Sequence, residues 1–250
     1  DDFEKIPGSP IAYWVSDRIK EIFEKSEKLR EIAEPRQGMS TSNNDLFMRY
    51  WIEVSFEKIG FNIKNRNDAK LSKKKWFPYN KGGEFKKWYG NNDFIVNFEN
   101  DGEKVKLEVA RKYPYLNGNT DFVVKNQQFY FLECISWSSL STSVFSIRSF
   151  DDGFIFADKG QCLFPNNIED KNIFTSLLNT KIIDKLLMII SPTMDYHSGY
   201  LKKLPIIFPN EESTKQQINT LTQECIDISK EEWDSRETSW DFRTNELVRI

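Results

Sequence analysis

Residues 73–92, KKKWFPYNKGGEFKKWYGNN, hold the side chains from which a nucleic-acid surface can be built. Lys73, Lys74, Lys75, Lys81, Lys86 and Lys87 can neutralise backbone phosphates, and Trp76, Trp88 and Tyr89 offer flat faces to bases or sugars. Asn91 and Asn92, with Asn80, can read hydrogen-bonding edges, while Gly82 and Gly83 let a backbone approach a ligand where a Cβ would clash. Arg36 and Gln37 open a second polar run, PRQGMSTSNNDLF (35–47), and could address a phosphate or guanine edge and an adenine edge respectively. Each run also has a plain reading: a solvated lysine-rich loop held by its aromatics for the first, a hydrated loop of Asx turns for the second. The density of glycines and amides beside the charges favours a phosphate and base contact surface for 73–92; for 35–47 both readings stay open.

Other chemistries find less support. Trp137 lies among hydroxyls in CISWSSLSTS (134–143), a stacking platform or, more plainly, a buried ring at a strand end. Ser138 would need a base, and the single histidine, His197, sits in a turn-like PTMDYHSG with no signal linking the two. A metal-dependent nuclease needs clustered carboxylates and a lysine; Glu169 and Lys171 fall in an asparagine-rich turn, and Asp121 and Glu133 lack an accompanying lysine in sequence. Cys134, Cys162, Cys225 and one histidine cannot furnish a zinc site, and no phosphate-cradling or dinucleotide loop is present. No metal or cofactor is therefore expected in this chain.

The net charge of −3 hides a strong asymmetry: residues 61–90 carry nine cationic side chains against two acidic ones, and residues 211–250 carry ten acidic against five cationic. The basic part is expected to be the working surface. The odd cysteine count, with no signal peptide and no apolar run of membrane-spanning length, predicts a soluble cytoplasmic protein with three buried or half-buried thiols and no membrane partner.

What must position these residues can be read from periodicity. Residues 1–10 read as an extended leader, and the missing initiator methionine suggests a piece of a longer protein. Ser16 caps a helix carrying Ile19, Ile22, Phe23, Leu29 and Ile32, interrupted near Ser26 and stopped by Pro35. FIVNF, KVKLEV, DFVV, QFYFLECI, VFSIR and GFIFA between residues 94 and 157 predict antiparallel strands joined by turns at NDG, LNGN and DDG. Phe174, Leu177, Leu178, Ile182, Leu186 and Ile189 form a helical stripe ending before Pro192. A last helix is expected from 211, with Ile218, Leu221, Cys225 and Ile228 as its apolar face. The expected class is α+β: a mainly antiparallel sheet flanked by helices, of the target-recognition type.

The blocks IPGSPIAYWVS (6–16), EPRQGMSTSNNDLF (34–47), KWFPYNKGGEFKKWYGNN (75–92), NFENDG (97–102), ISWSSLSTSVFSIR (135–148), GFIFADKGQCLFP (153–165), LLNTKIIDKLLMIISPTMDYHSGYLKKLPII (177–207) and EEWDSRETSWDF (231–242) resemble, in this order, the target-recognition half of the PglX-type adenine-specific DNA methyltransferases of BREX phage defence. The resemblance implies a division into a linking segment and helix (1–35), a target-recognition domain (36–210) and an acidic helical segment (211–250). It implies that the parent binds S-adenosylmethionine through a glycine-rich motif and holds a flipped adenine with Asn-Pro-Pro-Tyr. Neither motif occurs here, so no methyl transfer is expected of this chain alone. Its expected role is sequence-specific recognition of double-stranded DNA: the six lysines on phosphates, and Arg36, Gln37, Trp76, Trp88, Tyr89, Asn91 and Asn92 in a groove or on bases. The alternative is a protein-interaction module that docks other BREX proteins or an acidic phage DNA mimic.

Overall fold

A computed structural model describes residues 15–248 apart from 142, 192 and 194, so the expectation for residues 1–10 lies outside the described residues. Helix α1 (Asp17–Lys25) starts after Ser16 and ends at Ser26; β1 (Glu27–Lys28), α2 (Leu29–Ile32) and β2 (Ala33–Arg36) follow, so the predicted interruption is real. Then come α3 (Asn44–Phe47), β3 (Met48–Tyr50), α4 (Arg66–Leu71), β4 (Trp76–Asn80), β5 (Phe94–Asn97) and α5 (Glu99–Lys112). The second half holds β6 (Cys134–Ser138), β7 (Arg148–Phe150), β8 (Ile155–Phe156), β9 (Gly160–Pro165), α6 (Lys171–Leu178), α7 (Lys181–Ile190), α8 (Ser198–Leu201), β10 (Pro205–Ile206) and α9 (Glu212–Asp234).

Two four-stranded sheets organise these elements into an α+β fold. One has the order β2-β9-β6-β7 and is antiparallel throughout; the other has the order β3-β5-β4-β8, with β4 and β8 parallel and the remaining pairs antiparallel. Strands β1 and β10 form a separate antiparallel pair. Side-chain alternation divides the core. Ile135, Trp137 and Leu163 of the first sheet pack against helical residues including Phe23, Phe174, Leu187 and Leu201. The opposite face contributes Cys134, Phe150, Cys162 and Phe164, which meet Phe77, Tyr79 and Val96 of the second sheet, with Val105 and Val109 of α5 in the same cluster. Trp76 and Ile95, on the alternate positions, form a smaller cluster with Ile59. Trp137 is fully buried, and its indole N–H donates to the Tyr196 carbonyl at 2.6 Å, so the plain reading of that residue holds.

Several predicted strands are not strands. KVKLEV lies in α5, because Val105 and Val109 are buried four residues apart while Leu107 between them is exposed. Period-2 and period-4 patterns share those two positions, and burial selects the helix. NDG is no hairpin turn: Asn100, Asp101 and Gly102 all take left-handed φ (50°, 62°, 74°) and turn the chain into the helix. DFVV overlaps a 3-10 turn (Thr120–Phe122), and QFYFLECI begins with another (Gln127–Phe129) and becomes strand only at Cys134. VFSIR is strand from Arg148 alone, and GFIFA keeps two strand residues. In the helical half the stripe is split by Asn179 and Thr180 into α6 and α7, and Ile182 faces outward. Helix α9 buries Thr222, Ile226 and Trp233 instead of Leu221 and Ile228, which are exposed.

Candidate nucleic-acid interface

Strand β4 carries Trp76 on the face away from the main core, and the preceding Lys75 stays half-exposed. Together with Arg49 at the end of α3–β3 and the exposed face of α5 they line an open cleft of about 490 Å³. Its cations are Arg49, Lys75, Lys104 and Arg111; its only lining carboxylate is Glu108; its floor is Phe47, Trp76 and Leu107. The Lys75 ammonium stands 5.5 Å and the Arg49 guanidinium carbon 5.9 Å from the Trp76 ring centroid, both over the indole, where the ring quadrupole favours a cation. Lys104 pairs with Glu99 at 3.2 Å, and Arg111 forks onto Glu108 at 2.7 and 2.8 Å, which holds the Glu108 carboxyl below its usual range. Arg49 instead donates to the Asp45 and Met48 carbonyls. Four cations around an aromatic floor with one acid form a site suited to a phosphate-bearing chain.

Only Lys75 and Trp76 of the sequence candidates line this cleft. Lys73 is exposed in a left-handed conformation (φ 54°), and Lys74 donates to the Glu57 carbonyl. Lys104 and Arg111 join the cleft because α5 is a helix, on which Lys104, Leu107, Glu108 and Arg111 fall at i, i+3, i+4, i+7 and share one face; Arg49 comes from β3, and no local pattern in the sequence singles it out. Arg36 pairs with Glu34 and lies over the Phe129 ring at 5.1 Å, and Gln37 accepts from Lys125 at 2.8 Å; neither lines the cleft. In the same run Asn43 caps α3 by accepting from the Leu46 N–H at 3.2 Å.

The second half of the basic run, residues 81–92, is engaged inside the molecule. Lys81 is 3.7 Å from Asp158, and Lys87 donates to the Asn179 carbonyl at 3.1 Å. Gly82 lies on the backbone of β9: a Cβ on Gly160 would come within 2.3 Å of the Asn80 carbonyl oxygen and 2.5 Å of the Gly82 nitrogen. The close approach that these glycines permit is therefore between two chain segments. Asn91 is buried and donates to the Glu84 carbonyl at 2.8 Å; Asn80 and Asn92 are buried too. The acidic C-terminal segment covers the rest. Lys86 stands over Trp233 at 5.8 Å, Gly90 abuts the same ring, and Lys230 stands over Tyr89 at 5.1 Å. Burial, with Asp234 and Asp241 nearby, pushes the Tyr89 hydroxyl up. Beyond the helix Thr238 accepts from the Trp51 indole at 2.8 Å, and Trp240 packs on Phe61 and Phe154.

Two further constellations take definite form. Lys171, 6% exposed, is bonded to Glu133 at 2.5 Å and lies 4.0 Å from Asp151, with Glu169 lining the same hollow. Glu133 thus has a lysine after all, supplied from 38 residues away by the first residue of α6. That lysine is spent on the carboxylates and on the Phe150 carbonyl, and among the described residues no three acidic, histidine or cysteine side chains are placed to hold a metal ion. Ser138 spends its hydroxyl on the Gly83 carbonyl, while His197 accepts from the Gly199 N–H at 3.2 Å at the start of α8. Cys134 and Cys162, distant in sequence, bring their sulfurs to 3.3 Å as buried thiols.

No helix among the described residues is long and apolar enough to cross a membrane. No family model matches the chain. It is 40% identical over 248 residues to the adenine-specific methyltransferase PglX of Lacticaseibacillus casei, covering 99% of this chain and 20% of that protein. It is 35% identical over 250 residues to the adenine-specific methyltransferase BrxX of Escherichia coli, covering 99% of this chain and 18% of that protein. The chain spans about a fifth of the length of these curated relatives. It is accordingly a PglX-like sequence, similar along nearly its whole length to one segment of the adenine-specific methyltransferases PglX and BrxX.

Proposed function

We propose that this chain is the duplex-DNA recognition part of an adenine-specific DNA methyltransferase acting in BREX phage defence. The supporting observation is the cleft in which Arg49, Lys75, Lys104 and Arg111 surround Trp76 and Leu107 with one carboxylate among them. Such a surface holds a phosphate backbone by charge, with Trp76 buried beneath Arg49 and Lys75 and the exposed Leu107 offering apolar contact to a sugar. Methyl transfer, with S-adenosylmethionine as donor and a flipped adenine as acceptor, would belong to the parent protein; this part would hold and read the flanking duplex.

Fluorescence anisotropy with a short labelled duplex, repeated across salt concentrations, tests the proposal. Binding is expected to weaken steeply as salt rises, and the Arg49→Ala, Lys104→Ala, Arg111→Ala triple variant is expected to flatten the log–log salt slope by about 2 to 3. A folded triple variant with wild-type affinity and slope would remove the cleft from the DNA surface. Negligible duplex binding by the wild type, beside tight binding to an acidic protein, would replace DNA with a protein partner.

A further inference from the structure

Arg148 is fully buried, 0% exposed, with no carboxylate paired to it among the described residues. Its guanidinium makes one hydrogen bond, from Nη2 to the Ser138 hydroxyl at 3.3 Å; Nε and Nη1 have no partner. Burial pushes the group down to about 10, still charged at neutral pH. An arginine buried without an anion is a poor way to stabilise a fold, because desolvating the charge is uncompensated.

The strand register shows what lies around it. Arg148 is opposite Ser136 on β6, and Ser136 is opposite Cys162 on β9, so the three form a polar row across the face that meets the second sheet. Residues 81–92 cross these strands in turn: Gly82 touches Gly160 of β9, Gly83 bonds Ser138 of β6, and Trp88 pairs with Arg148 of β7. They roof the row. The turn is exposed at Gly83, Glu84 and Phe85, and three side chains hold it: Asn80 accepts from the Gly82 N–H at 3.3 Å, Asn91 donates to the Glu84 carbonyl at 2.8 Å, and Ser138 binds Gly83. The Ser138 hydroxyl accepts from the Gly83 N–H at 3.0 Å, donates to the Gly83 carbonyl at 2.8 Å, and is also the acceptor for Arg148.

We propose that Arg148 anchors a phosphate-binding site beneath the turn at residues 81–84, which takes a backbone phosphate of duplex DNA when Ser138 releases Gly83. The phosphate would accept side-on from Nε and, as Ser138 turns aside, Nη2, the parallel pair that Arg66 and Arg111 present to their carboxylates, and would receive the freed Gly83 N–H. Lys81, at the edge of the turn, adds charge. The identity of the phosphate as DNA rests on the proposed function; the site itself does not.

Arginine Nε–Hε resonances of the full chain test this, with the Arg148 signal identified by its absence in Arg148→Lys. It is expected to shift saturably with inorganic phosphate and with a short duplex, and not with chloride at matched ionic strength. Arg148→Met should lower the salt slope of duplex binding by about 1. Ser138→Ala, which frees Gly83 but keeps the guanidinium, should bind phosphate at least as tightly as the wild type. An Arg148 signal unmoved by phosphate and duplex, in wild type and in Ser138→Ala alike, overturns the site even where cleft arginines shift and DNA binding persists. An Arg148 signal that moves with phosphate in a chain that binds no duplex upholds the site and overturns the DNA reading.

Discussion

Residues 73–76 and residues 81–92 each carry three lysines and one tryptophan, and they differ in what lies around them. The first stretch ends in a lysine and a tryptophan that open onto a cleft with three further cations. The second, with three lysines, a tryptophan and two asparagines, is threaded between β6, β7, β9 and the C-terminal segment, and its lysines turn to Asp158, the Trp233 ring and the Asn179 carbonyl. The acidic C-terminal segment lies, through Lys230, Trp233 and Asp234, against this basic loop. Local charge thus marks where cations are abundant; neighbours contributed from far along the chain decide which of them stay available to a ligand.

That contrast can be broken at several points. Gly160→Ala should have the largest effect, because the new Cβ meets the backbone of Asn80 and Gly82, which no rotamer change relieves; a loss of about 3 kcal/mol in urea-unfolding free energy is expected. Trp233→Ala removes the ring between Lys86 and Gly90. It should destabilise the chain by about 3 kcal/mol and raise amide hydrogen exchange across 86–92 more than around Trp76. If exchange rises equally in both regions, the tail is a general support and no specific cover.

A smaller effect separates the two basic stretches directly. Lys86→Ala with Lys87→Ala should change the salt slope of duplex binding by less than about 1, against the larger change expected of the cleft triple variant. The reverse order would make the covered loop the DNA surface. The smallest effect concerns Asp101 beside the cleft helix. Burial acts to raise its pKa, but hydrogen bonds from Arg66 and Lys106 outweigh it and hold the carboxyl below the ordinary 3.8. Its stabilising contribution is therefore present above the unfolded value and lost as pH falls through the folded one. Asp101→Asn should be less stable than the wild type at neutral pH by under about 1 kcal/mol, since solvent screens the pair, with the gap closing as pH falls below the ordinary 3.8 in urea titrations.

Much of the frame is legible in the sequence, and its limits are physical. Ser16 stands at the N-cap of α1, though its side chain makes no capping bond, and α2 ends at Ile32, three residues before Pro35, which lies in β2. Trp137 reads as a buried ring at a strand and is one. KVKLEV fails as a strand because Val105 and Val109 fit both periods while Leu107 fits only the strand; three left-handed residues and the exposure of Leu107 decide for the helix. That error hid Lys104 and Arg111, and with them half of the cleft.

By itself the sequence determined the α+β class, the ends of the first helices, the supply of cationic and aromatic side chains, and the likeness to PglX, because these depend on residue types and on near neighbours along the chain. The tertiary structure alone decided that Lys75 and Trp76 join Arg49, Lys104 and Arg111, that Lys86 meets Trp233, that Lys171 meets Glu133, and that Arg148 is sealed beneath Gly83. The reason is range: phosphate-binding capacity belongs to a charge and its solvent exposure together, and exposure is set by segments tens to hundreds of residues away.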